Sequence, residues 1–255
     1  MKSLFYAIII PLLLFAVSIS ETIPQQKNWE EIFFKANQAY REGRFEEAVK
    51  GYEGLISAGY LSGHLYFNLG NSYFKLGQLG EAILNFERAR MRIPRDPDLH
   101  FNLRYSRDQI TDPIMEDRDF LKSAFFWTNS LSLRELFQGF ACVNILFWGL
   151  LLLRLFIKKE WTYNIGILLL IFWLIGAASF GLKAYWIKTD DRAVILSKEV
   201  DILAGPDTGD TVLFKLHEGT MVHDERSEDG WSLIRLPDEK RGWIRSETIE
   251  KLSHL

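Results

Sequence analysis

A single cysteine, Cys142, among 255 residues excludes an internal disulfide and a cysteine-rich zinc site. Because it falls inside a long apolar run, its expected role is packing against lipid. Histidine is almost as scarce. His217 and His223 lack the H-E-x-x-H spacing that sets two imidazoles on one helical face, and His64, His100 and His254 lie in other blocks, so no metal site is expected. Equally missing are a G-x-S-x-G nucleophile turn and a glycine-rich loop able to cradle phosphate. No enzymatic activity, cofactor or small-molecule substrate is therefore expected. Lys and Arg number 30 against 33 Asp and Glu, a net charge of −3, with no basic cluster of the kind a phosphate backbone requires. Nucleic acid is thereby excluded as the main partner.

What the chain does have is apolar sequence in three places. Residues 1–20 carry Lys2, an apolar core from Leu4 to Val17 and small residues at Ser18 and Ser20, the order of a secretory signal peptide. Cleavage after Ser20 is expected, with retention as an uncleaved anchor the alternative. Residues 136–157 and 162–182 are each long enough to cross a bilayer, which takes roughly 20 apolar residues. So short a connection between them predicts an antiparallel transmembrane hairpin. Lys158 and Lys159 sit in that connection and Arg154 can reach the same surface, which sets the connection on the cytoplasmic side and both soluble blocks on the other. Small residues at 176–179 offer a close-contact face, and Asn144, at similar depth, is expected to hydrogen-bond across the pair. Residues 111–135 read as a linker, with the aromatic segment 119–130 lying at headgroup level.

Upstream of the hairpin the chain repeats itself. Residues 36–48, ANQAYREGRFEEA, return at 70–82 as GNSYFKLGQLGEA, an interval of 34 (36 to 70). The second copy extends as Tyr66-x2-Leu69-Gly70-x2-Tyr73, Ala82-x3-Phe86 and Pro94, which resembles the tetratricopeptide repeat. Gly70 and Ala82, like Ala36 and Ala48, fall where two helices cross closely; Gly43 and Gly77 mark the turns. A third helix, 97–109, is expected to cover the last repeat, because a stack of repeats needs a capping face. Residues 28–110 thus form an all-α repeat solenoid. The resemblance implies a protein-binding concave face lined by Phe33, Asn37 and Tyr40, by Phe67, Asn71 and Phe74, and by Phe101 and Tyr105. Phe33, Phe67 and Phe101 make an aromatic column. Its cover is residues 119–130 of the same chain, a second copy, or an external protein segment. The carboxylate-binding variant of the repeat is matched at Asn37 and Asn68 alone, since Phe33, Asp98 and Asn102 stand where its cations would be.

From residue 192 to 255 the rhythm changes to short β-type runs broken by Gly, Pro and Asp, which predicts a small all-β barrel. Val200, Ile202, Gly205, Pro206, Leu216, Gly219, Trp231, Ile234, Leu236, Gly242, Trp243 and Ile244 follow the order of the bacterial SH3-like domain. Trp231 and Trp243 are either packing residues or a ligand surface.

Taken in order, signal, repeats, basic-loop hairpin and SH3-like domain resemble the BatE family of the bacterial aerotolerance (Bat) group. The resemblance implies a non-enzymatic component of the bacterial inner membrane, with both soluble domains on the periplasmic side. Its implied partners are other Bat proteins, the von Willebrand factor A-domain membrane proteins, and its implied role is oxidative-stress tolerance or envelope maintenance. The alternative is a peptidoglycan-binding envelope protein that uses the SH3-like domain.

Overall fold

The computed structural model describes residues 26–112 and 120–252; the expected signal segment and Glu116, at the Ala82 place of a third repeat, lie outside them. Among the described residues five helices come first: α1 (Gln26–Arg41), α2 (Phe45–Ser57), α3 (Gly63–Lys75), α4 (Leu79–Arg92) and α5 (Pro97–Arg107). Local chemistry sets their ends. Ser62 caps α3 by accepting from the Leu65 amide at 3.1 Å, and Asp96 caps α5 through the Leu99 amide at 3.0 Å, with Pro97 opening the helix. Gly43 (φ +78°) and Gly77 (φ +73°) take the left-handed conformation at the turns after α1 and α3. Each helix packs on the next, and a Cβ on Gly70 would come within 2.7 Å of the Phe86 ring, so only glycine lets α3 and α4 approach this closely. The expected third helix is α5, which buries Leu99 and Leu103 against α4.

Two long apolar helices follow. α6 (Phe120–Ala124) and a 3-10 turn (Phe126–Asn129) lead to α7 (Leu133–Arg154) and α8 (Glu160–Lys188). A capping box starts α7 three residues before the apolar run: the Ser132 amide donates to Glu135 Oε2 at 2.8 Å, and Ser132 Oγ accepts from the Glu135 amide at 3.3 Å. The helix ends at Arg154 and the connection is 155–159, shifted from the apolar boundary at Ile157. Ring pairs Phe137–Phe180, Phe140–Trp173 and Phe147–Trp173 descend α8 as they climb α7, so the two helices run antiparallel. The depth match with Asn144 is filled differently from expectation. Gly176 faces the Phe140 ring, and Ser179 Oγ accepts from Trp127 Nε1 at 3.1 Å. Together with Lys183, which donates to the Thr128 carbonyl at 2.9 Å, this docks the 3-10 turn on α8.

Residues 192–251 form one antiparallel sheet of β1 (Arg192–Ile195), β2 (Glu199–Leu203), β3 (Val212–His217), β4 (Met221–Glu228), β5 (Trp231–Arg235), β6 (Arg241–Arg245) and β7 (Ile249–Lys251), in the order β3-β2-β6-β5-β4-β1-β7. Side chains from strands at both ends of that order, Leu216 and Ile249, share one core with Ile195, Ile202, Val222, Ile234 and Ile244, so the sheet curls around it. Alternation along β1 turns Ala193 and Ile195 into that core and Val194 outward, into the helical core beside Ile83, Phe86 and Leu99.

The helices and the sheet are therefore packed together, a contact that neither repeat nor strand pattern predicts. α4 lies on β1 and β7. A Cβ on Gly80 would meet the Ile195 carbonyl oxygen at 2.6 Å, so helix and strand backbones touch there. Arg88, 6% exposed, donates to the Lys251 and Leu252 carbonyls at 2.7 and 3.2 Å and to Glu250 at 2.8 Å. Fully buried Glu87 accepts from Arg90 at 2.7 Å and also pairs with Arg107. At the other end of the seam Asp112 accepts from the His217 amide at 2.8 Å, from Thr220 Oγ1 at 2.6 Å and from His217 Nδ1 at 3.1 Å. The joint from α8 into β1 is short and tied at each residue: Thr189 to the Tyr185 carbonyl, Asp190 to Arg192, Asp191 to the Asp224 amide and to His223.

Candidate functional site

The eight positions on the first helices of the repeats separate into a polar half and an aromatic half. In the polar half, Asn37, Tyr40 and Asn71 line a cavity of about 270 Å³ together with Arg41, Tyr52 and Asn68. Asn37 Oδ1 is its organising atom, accepting from Tyr52 Oη at 2.7 Å and from Asn68 Nδ2 at 2.9 Å. One repeat on, the same bond recurs as Asn102 Nδ2 to Asn71 Oδ1 at 2.7 Å. Position 34 residues apart thus repeats as geometry: 37 and 71 accept, 68 and 102 donate. Burial pushes the Tyr52 phenol up to about 12 and raises Tyr40 as well, so both stay neutral at physiological pH. Of the lining residues only Arg41 is charged, and its guanidinium lies 6.0 Å from the Phe34 ring centroid.

In the aromatic half Phe74 packs on Tyr105 at 5.8 Å, and Tyr105 stacks on Phe101 with 5° between the ring planes. Phe101 and Tyr105 are 61% and 54% exposed, a large apolar area left in solvent. Phe33 and Phe67 behave differently. Each turns back onto the second helix of its own repeat, Phe33 to Tyr52 and Phe67 to Phe86, with ring centroids 6.0 Å apart in both pairs. The aromatic column is thus partly core and partly surface. Among the described residues the segment after α6 does not cover it, because Phe125 and Trp127 pack on each other and Trp127 on α8.

Arg41 and Tyr52 are the cavity residues that the repeat pattern does not point to. Tyr52 had a signal, since it occupies the Phe86 place of the first copy and adds only a hydroxyl to a packing ring. Arg41 had none.

On the sheet, Trp231 and Trp243 belong to a small cluster with Leu203 and Leu233 on the face opposite the main core. They are 6% and 8% exposed. Arg245 lies 4.1 Å above the Trp231 ring centroid and Arg226 5.1 Å above that of Trp243, so a guanidinium occupies one face of each indole. His217 and His223 are engaged by Asp112 and Asp191 at the seam and the joint.

Both α7 and α8 are long and apolar enough to cross a membrane, with 18-residue stretches of mean hydropathy 2.0 and 2.4 inside helices of 22 and 29 residues, and almost none of those stretches is buried inside the protein. Cys142 is exposed on α7. Compared with known families, residues 63–96 match the tetratricopeptide repeat and residues 197–251 match the bacterial SH3 domain. Among curated proteins none matches the chain. Repeat helices α3 and α4 and the β2–β7 sheet are thus a tetratricopeptide repeat and a bacterial SH3 domain, two kinds of module associated with protein interaction or envelope binding.

Proposed function

We propose that the chain is a non-enzymatic, membrane-anchored scaffold that holds a segment of a partner protein on the surface of α1, α3 and α5. The observation that carries this reading is the exposed Phe101–Tyr105 stack beside a cavity of side-chain amides. Such a surface suits a peptide or helix that offers apolar side chains to the rings and backbone groups to the amides. α7 and α8 anchor it as a hairpin whose basic connection faces the cytoplasm, leaving the repeats and sheet in the periplasm at the inner membrane. The resemblance to BatE makes other Bat proteins, the von Willebrand factor A-domain membrane proteins, the first candidates, in a complex serving aerotolerance or envelope stress.

The test uses the two exposed rings, because Phe33 and Phe67 also pack the interior. Phe101→Ala with Tyr105→Ala is expected to reduce recovery of the partner from detergent-solubilised membranes about tenfold, with an unchanged melting temperature. Unchanged recovery sinks the reading. A second reading, peptidoglycan binding, is favoured by the bacterial SH3 match. It requires Arg245 and Arg226 to leave the Trp231 and Trp243 rings, or another face of the sheet to bind. Sedimentation of the full chain with peptidoglycan tests it, and recovery in the soluble fraction rejects it. The full chain is needed because excision at Arg192 would expose Val194 and Leu252.

A further inference from the structure

The connection between α7 and α8 borders an open pocket of about 690 Å³ that the scaffold reading does not use. Its lining changes character across its height. Leu151 in the last turn of α7 and Leu155, the residue that follows the helix, provide an apolar wall, and Leu155 is 61% exposed. Arg154, Lys158 and Lys159 line the same space, opposed by a single carboxylate, Glu160, for a net charge of +2 (three cations less one anion). None of the three cations is ion-paired among the described residues. The Arg154 guanidinium instead lies 5.2 Å from the ring centroid of Tyr163, which also lines the pocket and so holds that charge at its edge.

We infer that this pocket binds an anionic phospholipid, the phosphate among Arg154, Lys158 and Lys159 and the first part of an acyl chain along Leu151 and Leu155. A soluble anion would have no use for the leucine wall, and a neutral lipid none for the unpaired cations. The depth also fits. Arg154 ends one apolar helix and Lys158 and Lys159 follow in the connection to the next, the level at which headgroup phosphates lie. The inference rests on the reading that α7 and α8 cross the membrane, and the two can fail separately.

The experiment is native mass spectrometry of the full chain, purified in non-ionic detergent with equal amounts of phosphatidylglycerol and phosphatidylcholine of the same acyl chains. Detergent solution removes any effect of the loop charges on orientation in the cell. Phosphatidylglycerol is expected to be retained at least about fivefold over phosphatidylcholine, on the order of what one basic residue near an anionic membrane contributes. Lys158→Gln with Lys159→Gln is expected to bring the ratio near parity, while Lys188→Gln, at the opposite end of α8, leaves it unchanged. Addition of about 10 mM inorganic phosphate should not displace the lipid. No preference in the wild type, a preference that survives the double substitution, an equal loss with Lys188→Gln, or displacement by phosphate each overturns the site. Extraction of the chain from membranes by alkaline carbonate would instead overturn the membrane reading.

Discussion

Gly80 shows how much a single missing side chain decides. It lies in the first turn of α4, at the point where the helix backbone meets β1, and a methyl group there would have to displace the Ile195 carbonyl and the Leu196 Cα, both backbone atoms. Backbone cannot rotate aside as a flexible side chain can. Gly80→Ala is therefore expected to destabilise the chain by about 1–3 kcal/mol, the usual penalty for overpacking. Gly54 is the matching control, in the last turn of α2 with nothing within 4 Å of its would-be Cβ. Gly54→Ala should stabilise by up to about 1 kcal/mol through helix propensity alone. Chemical denaturation of the two variants beside the parent reads both signs. Equal effects would mean that α4 and β1 do not touch at Gly80.

At the scale of elements, legibility depended on whether a pattern had a period. The repeat helices, their glycine turns and the SH3-like strand order are periodic or motif-bound, and their residues fall where those patterns put them: Gly70 against Phe86, Asp96 capping α5, Ile202, Ile234 and Ile244 in one core. The environment of α4 was not legible. Its stretch Asn85, Glu87 and Arg88 has the composition of a solvated helix face, yet all three are buried, because α3, α5 and the sheet surround the helix. The charges are satisfied by geometry that no local sequence encodes, Glu87 by arginines 3 and 20 residues away and Arg88 by carbonyls more than 160 residues on, while Asn85 donates to the Glu81 carbonyl one turn back and its buried Oδ1 has no partner among the described residues. The candidate site was legible by position but not by orientation. Repeat register selects Phe33, Phe67 and Phe101 alike, whereas the rings of Phe33 and Phe67 find Tyr52 and Phe86 behind them and Phe101 finds solvent.

On the scale of the whole molecule, the seam packs two small modules against each other, and they are expected to unfold as one body with a pH dependence set by the seam's carboxylates. Burial pushes Glu87 up, but the guanidinium groups of Arg90, Arg107 and Arg192 outweigh it and hold the carboxyl below its ordinary 4.5. Burial likewise raises Asp112, and the hydrogen bonds from Thr220 and His217 outweigh that, leaving it below 3.8. A carboxyl group lowered in the folded chain stabilises it above its unfolded pKa and loses that contribution as pH falls toward the folded value. The full chain in detergent is thus expected to melt its helical repeats and sheet in one transition, at a temperature independent of these groups from neutral pH down to about 5 and falling below about 4.5. Glu87→Gln should lower the neutral-pH midpoint and flatten the acid limb. Separate transitions for helix and sheet, followed by far-ultraviolet circular dichroism, would contradict a shared seam.

The tied joint at residues 189–191 has a mechanical side. α8 is a rod of 29 residues, roughly 43 Å at about 1.5 Å per residue, and it enters β1 without slack. β1 is in turn fastened to α4, so rod, sheet and repeats form a lever with no hinge along it. Spanning helices change tilt to match bilayer thickness. On the membrane reading, a tilt change of about 10° would swing the outer end of a rod this long by about 7 Å, carrying the Phe101–Tyr105 surface with it. Bilayer thickness would then set the angle at which the scaffold presents itself to its neighbours.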